Sequence, residues 1–161
     1  MTHLQPTVPS PPGGADRLWA SVVGGDVSFL LARANFFSIS KVNAALAPFG
    51  LKARSLSVLA IAASELRPSQ RELADFLCLD ARQIMLIVDD LECRGWVTRE
   101  PAPADRRINI VVATTEGRRV HDEARASATA AGNELMSTVA ASDFDRLSRA
   151  LRALATPPRE P

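Results

Sequence analysis

Between Ser69 and Ala113 the spacing of apolar residues changes from helical to alternating, and each change is punctuated by a recognisable signal. Ser69 precedes an amphipathic stretch and Glu72 follows it by three. That is capping-box spacing, and it predicts a short helix from Gln70 to Leu77. Leu79-Asp80 reads as a turn. Asp80 is a good N-cap for a second helix, Ala81 to Arg94, whose Ile84, Ile87, Val88 and Leu91 share one face. Gly95 stops it. Trp96 to Arg99 and Ile108 to Ala113 then read as two short strands. The loop between them is rich in Pro and Ala and ends in Asp105-Arg106-Arg107. Two short helices joined by a tight turn and followed by a hairpin predict a helix-turn-helix with the hairpin as a wing beside its second helix.

The flanking sequence is helical. A pattern begins at Asp16, where Leu18, Trp19 and Val22 form a short apolar face and Gly24-Gly25 weakens or bends it. Phe29, Ala32, Phe36, Ile39 and Leu46 recur near every third and fourth position, widened by Leu30 and Phe37. This predicts a long helix with a broad buried face, ended by Pro48 and Gly50. Ser55 to Glu65 is apolar almost all round (Leu56, Val58, Leu59, Ile61) and should be central; Arg67-Pro68 breaks it. After the hairpin, Thr114 is expected to cap a helix from about Thr115 to Val139. Ser142 is expected to cap a last one carrying Phe144, Leu147, Leu151 and Leu154. The fold class expected is mainly α with a small β-hairpin wing: a winged helix-turn-helix lobe, about 53–113, plus a helical dimerisation lobe, about 16–47 and 115–155. Together these make one domain, 15–155. Pro6, Pro9, Pro11 and Pro12 mark 1–14 as a disordered tail, and 156–161, closing on Pro161, as another.

Length fits a single domain: 161 residues can bury a core without a disulfide or metal. Arg far outnumbers Lys, since of nineteen basic residues only Lys41 and Lys52 are lysines. Arg suits phosphates and base edges, although a GC-rich genome would also favour its codons. The net charge of +1 gives no global sign of an anionic partner, so any attraction to one must be local. Between Arg54 and Arg107 eight basic residues face nine acidic ones, a net of −1, with Asp89, Asp90 and Glu92 on the second helix itself. Non-specific DNA affinity should therefore be modest, and its salt dependence shallow. No stretch of about 18 apolar residues predicts a membrane span. Met1 to Gly14 has no apolar h-region, which predicts a cytoplasmic chain with reduced thiols. Cys78 and Cys93 lack metal-site spacing, and neither a Gly-rich phosphate loop, a nucleophile elbow nor a paired-His motif occurs. No enzyme activity, metal or cofactor is expected.

A guanidinium at a hairpin tip can reach a phosphate or a narrow minor groove, and Asp105 could hold the fork of Arg107 in place. Alone, such a tip is more simply a solvated turn with an ion pair worth little. Placed after a helix-turn-helix, it favours DNA. The stretch resembles the MarR family of winged-helix transcriptional regulators in Ser69-Gln70-Arg71-Glu72-Leu73-Ala74, in Ile84, and in Val88 through Val97. Asp105-Arg106-Arg107 and Thr114-Thr115-Glu116-Gly117-Arg118 carry the resemblance further, and in order of elements it extends over about 27–155.

The resemblance implies a homodimer whose two winged lobes bind a pseudo-palindromic double-stranded operator, most simply as a repressor. The apolar faces at Phe29–Leu46 and Phe144–Leu154 agree, being more than a winged lobe could cover; packing on each other within one chain is the rival account. By position, Ala81, Arg82 and Gln83 open the recognition helix. Gln can pair adenine and Arg can pair guanine, while Met85 and Leu86 suit a thymine methyl. Ser69 and Gln70 would touch phosphate, and Arg106 and Arg107, with Asp105, would serve the wing. Many relatives carry basic residues at the position of Leu86 and near Asp90; this chain does not.

The family also implies a small aromatic effector at the junction of the two lobes. Trp19, Phe36, Phe37 and His121 are the candidates, each also explicable as core. Cysteine-based redox sensing is an alternative. Against it, Cys93 lies at a helix C-terminus, where the dipole disfavours a thiolate, and Cys78 follows an apolar run and should be buried. A winged helix used only for protein contacts is a further alternative, and it would not need Arg107.

Overall fold

The fold follows from where the helix-capping signals fall. The structure, a computed structural model, describes residues 14–137 and 139–156. The expected tails 1–14 and 156–161 lie almost wholly outside the described residues. Two compact units are distinguishable, one ending at Phe37 and one beginning at Ser38.

In the first unit, α1 (Gly14–Leu18) gives way to a turn and a 3-10 segment, Val22–Gly25. The helix expected from Asp16 is thus α-helical only to Leu18. Gly24 packs so close to the Trp19 carbonyl that a Cβ there would collide with it, which is why this bend requires glycine. Asp26 then starts α2 (Val27–Leu46) by accepting the Phe29 N–H on its carboxylate at 2.8 Å. Arg33 lies over both the Trp19 and Phe37 rings, 5.1 Å from each centroid.

The broad buried face expected of α2 is not enclosed among the described residues. Only Leu46 of α2 is enclosed, while Phe29, Leu30, Leu31, Phe36, Phe37 and Ile39 remain 37–66% exposed. α2 is helical as its apolar spacing implies, but such spacing does not say which surface covers the apolar residues.

The second unit takes in the end of α2, a 3-10 turn (Ala47–Phe49) and Gly50 in the left-handed region, φ 63°. It continues through α3 (Ala53–Ala62), α4 (Gln70–Leu77), α5 (Ala81–Cys93), β1 (Val97–Pro101), β2 (Asn109–Ala113), α6 (Thr115–Met136) and α7 (Ala141–Ala155). As its composition implies, α3 is central. Val58, Leu59 and Ala62 are buried, and α4, α5, α6 and β2 pack around it. Ile84, Val88 and Leu91 of α5 and Leu73 of α4 are each at most 1% exposed in the same core. The strands are antiparallel, with Val97 opposite Ala113 and Pro101 opposite Asn109. Ser69 bridges to Ile110, and Pro68 accepts the Val111 N–H at 2.8 Å, so the wing is tied to the start of α4.

The Thr-x-x-Gly-Arg run at the head of α6 has a mechanical explanation. Thr114 Oγ1 accepts the Gly117 N–H at 3.0 Å and donates to the Gly95 carbonyl at 2.8 Å. Gly117 rests directly on the Trp96 carbonyl, leaving no room for a Cβ. Arg118 donates to the Ala63 carbonyl at the end of α3. Past this point, two expectations need correction. α6 ends at Met136 rather than Val139, and α7 begins at Ala141 with Ala140 at the N-cap. Ser142 therefore lies inside α7 and makes no cap. Although α7 carries the expected stripe, it buries none of its residues.

Candidate nucleic-acid interface

Capping sets the two helices of the interface. The Ser69 hydroxyl accepts the Glu72 N–H at 3.3 Å, and the Glu72 carboxylate accepts both the backbone N–H and the hydroxyl of Ser69 at 2.8 Å. These bonds, the backbone one first, hold the Glu72 carboxyl below its usual range. The Ser69 hydroxyl, expected at phosphate, is thus already engaged in the cap. α4 ends at Cys78 in the left-handed conformation, φ 51°, unusual for a residue with a side chain. Asp80 then accepts the Gln83 N–H at 2.7 Å and starts α5. The turn between the helices is three residues, Cys78-Leu79-Asp80.

The outward side of α5 presents the residues expected to read bases. Ala81, Arg82 and Gln83 are exposed in its first turn, and Met85 and Leu86 follow at 45% and 56% exposure. A groove between α4 and α5 is lined by Gln70, Arg71, Ala74, Asp75, Leu79, Ala81 and Met85. At the hairpin tip Asp105, Arg106 and Arg107 are exposed.

Asp105 works differently from expectation. Its carboxylate accepts the backbone N–H of Arg107 at 3.0 Å, and its carbonyl accepts that of Ile108. It shapes the turn and leaves the guanidinium loose, because an Asp two residues back reaches the main chain before it can reach a guanidinium.

The local charge of −1 conceals a sorting that the count could not reveal. On α5, Asp89 and Glu92 pair with Arg99, and Asp90 pairs with Arg94 at 3.0 Å. Glu100 pairs with Arg67 at 2.6 Å, Asp75 lies 3.9 Å from Arg71, and Glu72, Asp80 and Asp105 serve as caps or turn acceptors. Among the described residues, Arg82, Arg106 and Arg107 have no such partner for their guanidinium groups. The negative charge is largely committed internally, and free positive charge is left on the recognition helix and wing. Sequence reasoning named the carboxylates but missed Arg99, whose partners lie seven to twenty-nine positions away.

The aromatic candidates are divided between the units. Trp19, Phe36 and Phe37 belong to the first, where Phe36 and Phe37 meet edge to face at 5.5 Å. A hollow of about 280 Å³ there is lined by Leu18, Trp19, Ser21, Val23, Phe29 and Arg33. His121 belongs to the second, on α6, and is buried at 7% exposure. Its Nδ1 lies 2.9 Å from the Asp122 carboxylate, and its Nε2 has no partner among the described residues. Cys78, expected to be buried, is exposed, as is Cys93. The left-handed turn carries Cys78 off the apolar face of α4. Among the described residues no His, Cys, Asp or Glu cluster could hold a metal, and no single helix is long and apolar enough to cross a membrane.

The geometry agrees with what comparison with known proteins finds. The MarR family model matches residues 51–108. A MarR-family transcriptional regulator from Rhodococcus sp. RHA1 is 36% identical, with a TM-score of 0.78, over 86% of this chain and 99% of that one. CouR from Rhodococcus jostii RHA1, solved bound to p-coumaroyl-CoA, is also 36% identical at a TM-score of 0.78, over 88% of this chain and 100% of its own. Wild-type apo MarR from E. coli is 25% identical with a TM-score of 0.70, over 80% and 96%. No curated protein matches. A helix-turn-helix with its wing, capped and charged in this way and alike over nearly the whole of such relatives, places the chain in the MarR family of winged-helix, DNA-binding transcriptional regulators.

Proposed function

We propose that this chain acts as a homodimeric, ligand-responsive repressor on a pseudo-palindromic operator. The observation that carries the DNA reading is the charge sorting: carboxylates near the recognition helix are paired, and Arg82, Arg106 and Arg107 are not. In this reading each α5 enters a major groove, with Arg82 and Gln83 on base edges and Met85 and Leu86 against thymine methyls. Ala81, at the first position of α5, allows close approach. Gln70 meets phosphate from the head of α4, with Ser69 supporting it through the cap. Asp105 fixes the tip from which Arg106 and Arg107 reach the backbone or minor groove.

Homodimerisation is supported by the apolar surface left on α2 and α7, the flanking helices of the 16–47 and 115–155 segments, around a winged lobe of about 53–113. The twofold axis would set the two recognition helices about 34 Å apart, one helical turn of DNA.

For the effector we favour an aromatic acid or its CoA thioester. The Rhodococcus CouR at 36% identity binds p-coumaroyl-CoA, and the Trp19, Phe29 and Arg33 hollow offers aromatic walls beside a cation. Phe36 and Phe37 in the same unit are candidates for further contacts, and His121 in the second unit is a separate candidate. A ligand that binds the DNA-incompetent form better shifts the population away from the operator.

The test is a footprint on DNA upstream of the protein's own gene, followed by release with p-coumaroyl-CoA, p-coumarate and CoA in parallel. Protection of an inverted repeat, weakened about tenfold or more by R107A in a folded dimer, is expected. No protection at low salt would favour a winged helix that only binds protein. Release by none of the three ligands would remove the proposed effector class.

A further inference from the structure

Arg99 stands in the middle of β1, and its guanidinium meets side chains from two other elements. Nη2 lies 2.5 Å from Asp89 Oδ1 and 3.4 Å from Gln70 Oε1, and Nη1 donates to Glu92. Glu92 also accepts the backbone N–H of Arg99 at 3.1 Å. Asp89 and Glu92 are three apart on α5, so both carboxylates fall on one helix face. Gln70 is the first residue of α4. The Arg99 side chain is only 20% exposed, well below its two acidic partners at 51% and 40%.

One planar fork therefore joins wing, recognition helix and the head of the preceding helix. Three consequences follow from its chemistry. The wing cannot swing relative to α5 without breaking charge-assisted bonds. Two negative charges on the recognition helix are cancelled where a polyanion would approach. The Gln70 amide has its oxygen turned to Arg99, so its N–H groups, which have no partner among the described residues, face elsewhere and suit an acceptor such as a phosphate oxygen.

We infer that Arg99 is a positioning residue for DNA recognition. It acts through Asp89, Glu92 and Gln70 and touches no phosphate itself. This rests on the DNA-binding reading above, and it separates Arg99 from Arg106 and Arg107, whose free side chains would contact the backbone directly.

The experiment compares wild type, R99A, R99K and R99A/D89N/E92Q as full-length chains. The probe is a duplex carrying the repeat protected in the footprint, titrated at several salt concentrations. R99A is expected to lose about tenfold or more in affinity while the slope of log K against log salt stays as in wild type. R107A, by contrast, should lower that slope by about 0.9. R99A/D89N/E92Q should recover only the part of the loss due to the two uncovered carboxylates and stay weaker than wild type, because the tether between wing and α5 is still missing.

Without DNA, amide exchange in β1 and β2 should quicken in R99A at an unchanged far-UV spectrum. If R99A does not fold, R99K is read in the same way: it keeps the charge but not the fork, and should fall between wild type and a tenfold loss.

Wild-type affinity in R99A, a slope lowered by about 0.9, or full wild-type affinity in the triple variant would each overturn the proposal. If wild type itself bound no DNA, the functional reading would fail, while unchanged wing exchange in R99A would independently overturn the tether.

Discussion

α5 and α7 are both amphipathic helices of similar length, yet they end in opposite states. α5 sends Ile84, Val88 and Leu91 into a core where each is fully enclosed. α7 carries Phe144, Leu147, Leu151 and Leu154 at comparable spacing and buries none of them; Leu154 is 69% exposed. The difference is not in the period but in the neighbours. α5 has α3, α4 and β1 against it. Among the described residues α7 has no comparable covering within the second unit. An apolar stripe thus states that a helix needs a partner surface, and not whether that surface lies in the same chain.

Charge placed on the exposed stripe of α7 should have the largest effect. F144D/L151D should yield a folded monomer that loses operator affinity by about a hundredfold or more, as two linked half-sites become one. Sedimentation and a binding titration check this, and a dimer that persists would break it.

Next comes L91A in α5, expected to cost about 2–5 kcal/mol in denaturant unfolding through the cavity it leaves. L151A in α7, measured in an F144D background that sediments as a monomer, should cost less than about 0.5 kcal/mol. Equal costs would show that α7 is packed within its own chain after all.

G117A should cost about 1–3 kcal/mol, because a methyl group has no space beside the Trp96 carbonyl. Smallest is S69A, at about 1 kcal/mol for the lost cap. Its cost should also depend on pH. The Glu72 carboxyl is held below its ordinary value of 4.5, so the stability it adds is complete above that value. That stability is lost as pH falls through the lowered folded value. The gap between wild type and S69A should therefore narrow in acid, and a gap that widened would contradict the reciprocal cap.

Much of the fold was legible because its signals are local. The Ser69–Glu72 box, the Asp80 cap and Gly95 each act within one turn, and each appears where the residue types place it. Thr114 with Gly117 was recognisable as a pattern, although its cause, contact with Gly95 and Trp96, is not local. What could not be read depends on geometry between distant residues. Cys78 is exposed because the chain turns left-handed there, which an apolar run upstream does not reveal. The acids of α5 looked like a liability to DNA binding until Arg99 and Arg94 were found beside them. Asp105 was linked to the correct residue but to the wrong part of it. Counting charge along a chain treats every group as free, and folding decides which groups are.

The Trp96 carbonyl accepts the Thr114 N–H at 3.0 Å and abuts Gly117, while Thr114 reaches back to Gly95 and Arg118 anchors the same turn to the end of α3. No slack chain separates the foot of the hairpin from α6. A tilt of the first turn of α6 would therefore have to carry the foot of the hairpin with it, and a small rotation there would become a larger displacement at Arg106 and Arg107, at the far end of the hairpin.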